Sequence, residues 1–509
     1  MEILTDAFYL VIEPTTLLVI VAAAMYGLMV GAIPGLTATM AIALMVPLTF
    51  YLNEVAAIAA IVTAVTCSIF AGDIPSALIR IPGTPASAAY ANDAYALTGQ
   101  GKHRLALKLA LYASVAGGLL GTVLLVIAAR PLAAIATQFT SFEYFWLYVL
   151  GLCCAIAVSD RGQARSLFAL TLGLLFSTVG LAPDFSVPRL TFGLNELING
   201  ISFIPAMIGL FGISEVLRVA VTLPQRRPHS GAPSAQASAQ GSVQASTPEA
   251  TVGAASFVFG RKWALIKSSS IGGVIGMLPG AGADIAAWIS YAVSKRSSKH
   301  PERYGQGTTE GIADATGANN AALGSAWIPA LVFGIPGDSV TAIALGVLMM
   351  KNITPGPQIF DFAENAQQAT LVVCLYFTFV LANLVLIPLG LLAIRTGGLL
   401  VRIPRAILLP AVVLFCIVGS FSIAASYVDV WIMLAFGCLG FALERWGIPL
   451  APIVLGLILG GPLEHRFLQS ITVANSPLAF VDSLISVVLA AGCVIVVVLP
   501  WWSARSALR

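Results

Sequence analysis

Three kinds of polar side chain recur around Pro-Gly breaks in this otherwise apolar chain. Thr37, Thr39, Thr84, Ser87 and Ser339 carry hydroxyls beside the expected starts of helices, and hydroxyls donate to carboxylate oxygens. Asn319 and Asn320 supply donors and acceptors together. Asp73, Asp284 and Asp338 are acids suited to holding Na+ or carrying H+. Between them, Gly35, Gly83, Gly280, Gly282 and Gly337 let the backbone approach a ligand. Each set also has a purely structural use: a proline kink with a capping hydroxyl, an interhelical hydrogen bond, a loop carboxylate near a helix start. Arg80, the sole cation of the first broken segment, is available to a substrate carboxylate or to Asp73.

The chemistry is recognition rather than bond making. The chain has no G-x-x-x-x-G-K-[ST] loop for ATP and no H-E-x-x-H metal motif. Its four histidines, His103, His229, His300 and His465, fall in expected loops. We therefore read it as no enzyme, with no cofactor beyond a coupling ion, Na+ or H+.

The elements that position these residues are interrupted helices. The richest stretch runs from Ser270 to Gln358 and includes GMLPGAGADIAAWISYAV and PALVFGIPGDSVTAIALGVLMM. Proline and the residue before it break helices, and lipid cannot satisfy the freed backbone groups. Such a break must line a protein interior or a wet cavity. In secondary transporters, freed helix N-termini face anions and freed carbonyls face cations.

Of 509 residues, 58% are hydrophobic and 10% charged, with mean hydropathy +0.92. Soluble domains carry about 25% charged residues, so the chain is an all-α polytopic membrane protein whose lipid bilayer is its first partner. A net charge of +3 gives no footing for nucleic acid. The seven cysteines lack metal-ligand spacing and read as small buried hydrophobes. With Glu2 and Asp6 but no basic n-region, the N-terminus does not read as a cleavable signal peptide.

Residues 1–79 hold five carboxylates and no Lys or Arg, which places this end outside. The run from Thr15 to Leu52, broken at Pro34-Gly35, reads as a hairpin entering and leaving by one face. A broken crossing follows, interrupted near Asp73-Ile-Pro75 and again at Ile81-Pro-Gly-Thr-Pro85. Ile198–Val219 reads as a span, and Gly117 and Gly121 as a close-packing pair. Residues 222–260, rich in Pro, Ser, Ala and Gln, read as a disordered cytoplasmic linker between a first repeat, 1–221, and a second, 261–509. Gly31-Ala-Ile-Pro-Gly35 recurs as Gly276-Met-Leu-Pro-Gly280, and Ile81-Pro-Gly83 as Ile335-Pro-Gly337. Trp263–Lys295 then forms a second hairpin, and Ala318–Phe333 with Ser339–Met350 a second broken crossing. With one half starting outside and the other inside, these are two inverted repeats, about 11 crossings in all, with a shared site at the midplane.

Four signatures in order, GAIPGLTATMAIALMVPLTF, IPGTPASAAYANDAYALTGQGKHRLAL, GMLPGAGADIAAWISYAVSKRSSKHPERYGQGTTEGIADATGANNAA and PALVFGIPGDSVTAIALGVLMMKNITPGPQIF, make the chain resemble the TctA family, from about residue 15 to 500. This family is the large permease subunit of tripartite tricarboxylate transporters. The resemblance implies a multi-pass protein of the bacterial inner membrane that imports a small carboxylate by ion symport. It also implies two partners: a small membrane subunit (TctB-like) and a periplasmic solute-binding protein (TctC-like). The linker and C-terminus would be cytoplasmic.

Departures from the family pattern are instructive. Ala71-Gly72-Asp73 stands where Gly-Gly-Ser is expected, acids replace small hydroxyl residues at Asp284 and Asp338, and Thr316 replaces an acid. Asp93 matches an acidic family position at the cytoplasmic rim. Extra carboxylates near an anion site repel a citrate-like ligand, so the ligand is expected to be less anionic, or the aspartates to serve an ion. A channel is the alternative to a carrier, because broken helices also build selectivity filters.

Overall fold

A computed structural model describes residues 2–33, 36–157, 162–182, 187–222, 253–280, 282–400, 405–474 and 476–506. Within them the chain is almost wholly helical; the strand content is one short ribbon, Gly180–Leu181 against Pro188–Arg189. Helices satisfy their own backbone groups, as lipid requires. Six are long and apolar enough to cross a membrane: Pro14–Gly31, Glu54–Ile79, His103–Ala136, Phe203–Val221, Ala366–Gly397 and Tyr427–Arg445. The protein is a multi-pass, all-α membrane protein.

The centre is made by two helices, one largely apolar and one built of small residues with buried polar side chains. In Glu54–Ala71 every residue after Glu54 is buried, and in Thr309–Ser325 every residue from Gly311 onward. A helix without an amphipathic face must be enclosed by others. The long helices His103–Ala136 and Ala366–Leu400 flank this centre. Small residues allow the approach: a Cβ on Gly117 would lie 2.0 Å from the Gly317 carbonyl oxygen, so the expected packing role of Gly117 and Gly121 holds.

Each central helix carries a hairpin. Pro14–Gly31 and Ala38–Phe50 lean on Glu54–Ala71, with Gly27 and Gly31 against the backbone of Ala64 and Ser68. Lys262–Gly276 and Gly282–Ser297 lean on Thr309–Ser325, with Gly272 and Gly276 against Ala318 and Ala322. The second pair, 15 and 16 residues long, rises only ~22–24 Å per arm, short of the roughly 30 Å hydrocarbon core. The first hairpin's break at Pro34-Gly35, and with it Gly35, lies outside the described residues.

Some expectations need correction. The first crossing is not interrupted near Asp73-Ile-Pro75: Gly72 keeps helical angles (φ −61°, ψ −17°), and Asp73–Ile79 continues Glu54–Ala71 with only a bend. Where the helix bends, the Gly72 carbonyl accepts from the Gly83 N–H at 3.1 Å, which ties the following loop to the helix. The real break is at Arg80, in the left-handed region at φ 57°. The span expected at Ile198–Val219 is present from Phe203 and contains an irregularity: Phe203–Met207 passes into a π-helical turn, Ile208–Ile213, before Ser214–Thr222. Finally, the segment read as linker up to residue 260 ends in a helix, Gly253–Gly260; residues 223–252 lie outside the described residues. Among the cysteines, all of which are free, Cys438 is exposed and Cys153 half-buried rather than enclosed.

Candidate functional site

The two true breaks have one geometry. After Pro75, the Ile81 N–H reaches back to the Pro75 carbonyl at 3.4 Å; after Pro329, the Ile335 N–H does the same to Pro329 at 3.2 Å. Arg80 in one and Gly334 in the other take the left-handed angle that stops the helix. The loops then fold back on their own helices, Gly83 against Gly72 and Gly337 against Ala326, closely enough that a Cβ at either glycine would meet backbone.

Both loops end in reciprocal caps. Thr84 N–H donates to Ser87 Oγ at 3.2 Å and Ser87 N–H to Thr84 Oγ1 at 3.1 Å. Asp338 N–H donates to Thr341 Oγ1 at 2.9 Å and Thr341 N–H to Asp338 Oδ1 at 2.7 Å. The second is a capping box that starts Ser339–Met350. Thr37 caps the inner arm of the first hairpin by accepting from Met40 N–H at 3.2 Å.

Each hairpin touches the loop of the opposite half. Thr39 Oγ1 lies 3.3 Å from Ser339 Oγ. Asp284 Oδ1 accepts from Ala86 N–H at 3.0 Å, and Trp288 Nε1 donates to the Pro85 carbonyl at 3.2 Å. Between these crossings is a cavity of about 230 Å³ lined by Thr37, Thr39, Thr84, Asp284, Asn319, Asp338 and Ser339, all expected from sequence. Asp284 is exposed and Asp338 half-buried. Asn319 is 2% exposed, and its side-chain carbonyl oxygen has no hydrogen-bond partner.

Other expected residues support the cavity without lining it. Gly83 and Gly337 hold the loops down, Gly280 N–H donates to the Gly337 carbonyl at 2.8 Å, and a Cβ on Gly282 would stand 3.2 Å from that of Asp338. Ser87 is committed to the Thr84 cap. Asn320 is buried on another face, its amide reaching the Thr316 carbonyl at 3.4 Å. Asp73 is 4% exposed, away from the lining, and accepts from Tyr90 Oη at 2.5 Å. Arg80 pairs with neither Asp73 nor the cavity; both Nε and Nη2 donate to Asn92 Oδ1, at 3.0 and 2.8 Å.

Sequence reasoning missed one wall. Leu210, Phe211, Ser214 and Glu215 line the cavity from the π turn and the helix after it, and Glu444 joins them from the end of Tyr427–Arg445. Glu215 is 8% exposed and holds Arg218 through two contacts, Arg218 Nε to Glu215 Oε2 at 2.6 Å and a second between Nη2 and Oε1. The available signal was a glutamate inside a run otherwise fit to span lipid, which is costly there without a role.

Asp93 is fully buried between the halves. Its Oδ1 accepts from the N–H groups of Gly305, Gly307 and Thr308 at 2.8, 2.8 and 2.9 Å, and its Oδ2 from Tyr291 Oη at 2.6 Å.

The chain is 32% identical over 502 residues, 98% of its length and 96% of the relative's, to an uncharacterized 52.8 kDa protein in the TAR-I ttuC' 3' region of Agrobacterium vitis. It is 35% identical over 204 residues to an uncharacterized protein in the TAR-II ttuC' 3' region of the same organism, covering 40% of this chain and 82% of that one. No solved structure matches. The model of the tripartite tricarboxylate transporter TctA family matches residues 17–455, and the chain belongs to that transporter family.

Proposed function

We propose that this chain is the permease of an ion-coupled carrier that imports a small carboxylate across the bacterial inner membrane. A periplasmic solute-binding protein delivers the substrate, and a small membrane subunit completes the complex. The two halves act as inverted repeats of about 11 crossings in all, with the segment 222–260 and the C-terminus in the cytoplasm. Support for the repeat comes from matched details: the Arg80 and Gly334 stops, the Ile81 and Ile335 back-bonds, and the Thr84–Ser87 and Asp338–Thr341 caps.

The observation that carries the reading is the crossing of Thr39 and Ser339 at 3.3 Å. It brings the starts of Ala38–Phe50 and Ser339–Met350, from opposite halves, to one cavity. Two helix starts with hydroxyls suit a carboxylate, and Asp284 and Asp338 beside them suit a coupling Na+ or H+. A site shared by two repeats is what rocking one half against the other exposes to each side in turn.

The test is uptake into proteoliposomes holding the permease and its small subunit, with the cognate binding protein outside. The carrier reading expects saturable accumulation and counterflow that require the binding protein and a Na+ or H+ gradient. Flux that only dissipates a substrate gradient, with no need for the binding protein, would assign the channel alternative.

A further inference from the structure

The chain carries seven cysteines, and two of them meet across a helix pair outside the cavity. Cys153 lies on Ser141–Ala157 and Cys493 on Leu484–Ser506. The two helices run side by side in one direction. Ser486 Oγ donates to Glu143 Oε1 at 3.1 Å, a Cβ on Gly492 would lie 3.5 Å from Leu150 Cδ1, and Cys493 Sγ reaches the Trp146 carbonyl at 3.9 Å. That register brings Cys153 beside Cys493, with the two thiols in hydrogen-bonding reach of each other. Cys493 is 6% exposed and Cys153 is half-buried, on helices apolar enough to lie in lipid. The pair is therefore enclosed by protein at one sulfur and approachable at the other.

The same helix seats the breaks of the second half. A Cβ on Gly151 would lie 3.1 Å from Ile335 Cγ2, and one on Gly280 would lie 2.6 Å from Ala155 Cα. Ile335 follows the Gly334 stop, and the Gly280 N–H holds the Gly337 carbonyl. Ser141–Ala157 thus stands between the thiol contact and the hairpin tip and loop that frame the cavity. Whatever fixes this helix to Leu484–Ser506 also fixes the seat of that tip.

We propose that Cys153 and Cys493 are a redox-modification site, closed to a disulfide by a lipid-soluble quinone. Two S–H bonds break and one S–S bond forms; both electrons and both protons pass to the quinone, which leaves as the hydroquinone. Thiol–disulfide exchange with a dithiol reductant reverses the step. A thiol at this depth meets oxidants that dissolve in lipid, and the half-buried Cys153 is where such an oxidant makes contact. The bond replaces a van der Waals contact by a covalent one of fixed geometry. It clamps Ser141–Ala157 and, through Gly151 and Ala155, restrains the hairpin tip and the Ile335 break. The effect of that clamp on transport rests on the carrier reading; the bond itself does not.

The experiment treats the purified permease in nanodiscs with decylubiquinone, whose fully substituted ring cannot add to a thiol, and counts free thiols with a maleimide after denaturation. Wild-type protein should lose two of its seven thiols, and dithiothreitol should restore them. Peptide mapping should recover a bond between Cys153 and Cys493. Cys153→Ser and Cys493→Ser should lose none, whereas Cys154→Ser should still lose two; size-exclusion profiles establish that each variant is folded. In proteoliposomes with the binding protein outside, oxidation should abolish wild-type uptake reversibly and leave Cys153→Ser and Cys493→Ser as active as the reduced wild type. A thiol count that the quinone leaves unchanged, or a bond mapped to other cysteines, overturns the site. A Cys153–Cys493 bond that leaves uptake unaltered overturns the clamp alone. If the reduced protein shows no uptake at all, the carrier reading fails, and the mapped bond by itself decides the redox site.

Discussion

The two halves solve one mechanical problem with opposite chemistry. Each lends a side chain to the far end of the other half's hairpin. From the first half, Asp93 takes the N–H groups of Gly305, Gly307 and Thr308; from the second, Lys351 gives its Nζ to the carbonyls of Phe50 and Leu52, at 2.9 and 2.6 Å. The loops differ similarly: Thr84 caps one and Asp338 the other. The two loop caps share one backbone geometry, which therefore tolerates an acid or a hydroxyl, whereas the two pins meet backbone groups of opposite polarity and need opposite side chains.

The largest effect is expected at Asp93, because its carboxylate is fully buried and serves four donors. Asp93→Ala strands three backbone N–H groups and a phenol; at about 1–3 kcal/mol for each buried donor left unmade, and with Gly305 exposed to water, a loss of about 3 kcal/mol follows. A fall in melting temperature with faster tryptic cleavage at Arg303 checks this. Tyr291→Phe removes one donor and leaves the three N–H bonds, so it should cost only about 1 kcal/mol. Equal losses in the two variants would show that the phenol, not the loop, is what Asp93 holds.

The second comparison separates cap from charge. Asp338→Ala removes both, whereas Asp338→Thr removes the charge and restores the hydroxyl that works at Thr84. The alanine variant should be less stable than the threonine variant by about 1 kcal/mol, the usual value of an N-cap. Ion-dependent uptake should fall equally in both. Uptake that recovers with the threonine would make Asp338 a structural cap after all.

Much of this was legible because proline and glycine write backbone breaks directly into sequence. Pro34-Gly35, Pro82-Gly83, Pro279-Gly280 and Pro336-Gly337 marked the hairpins and crossings, and seven of the expected ligands line one cavity. Pro75 misled, since a proline near the start of a helical segment bends the helix without ending it, and Gly72 keeps helical angles there. The wall of Leu210, Phe211 and Glu215 was hidden because hydropathy averages over a single acid and no local propensity announces a π turn. Asp93 was read as a rim residue, for its partners are backbone groups more than two hundred positions away and no side-chain pattern records them.

The smallest effect is expected at Lys351, and it is the most informative about how the halves move. Lys351 is half-buried and its ammonium stays within reach of water, also lying 5.9 Å from the Phe50 ring. Lys351→Met keeps the apolar stem and removes two carbonyl contacts that water can replace, so stability should change by about 1 kcal/mol or less. Its neighbours Leu52, Asn53 and Met350 line a second cavity of about 880 Å³ at that end of the molecule. If the Lys351 contact forms and breaks as that end closes and opens, the methionine variant should raise exchange across it while leaving the Asp93 end protected. Hydrogen exchange at residues 50–55 and 303–310 reads both ends in one measurement. Acceleration at 50–55 alone makes the two pins independent latches; acceleration at both would mean that the halves loosen as one body.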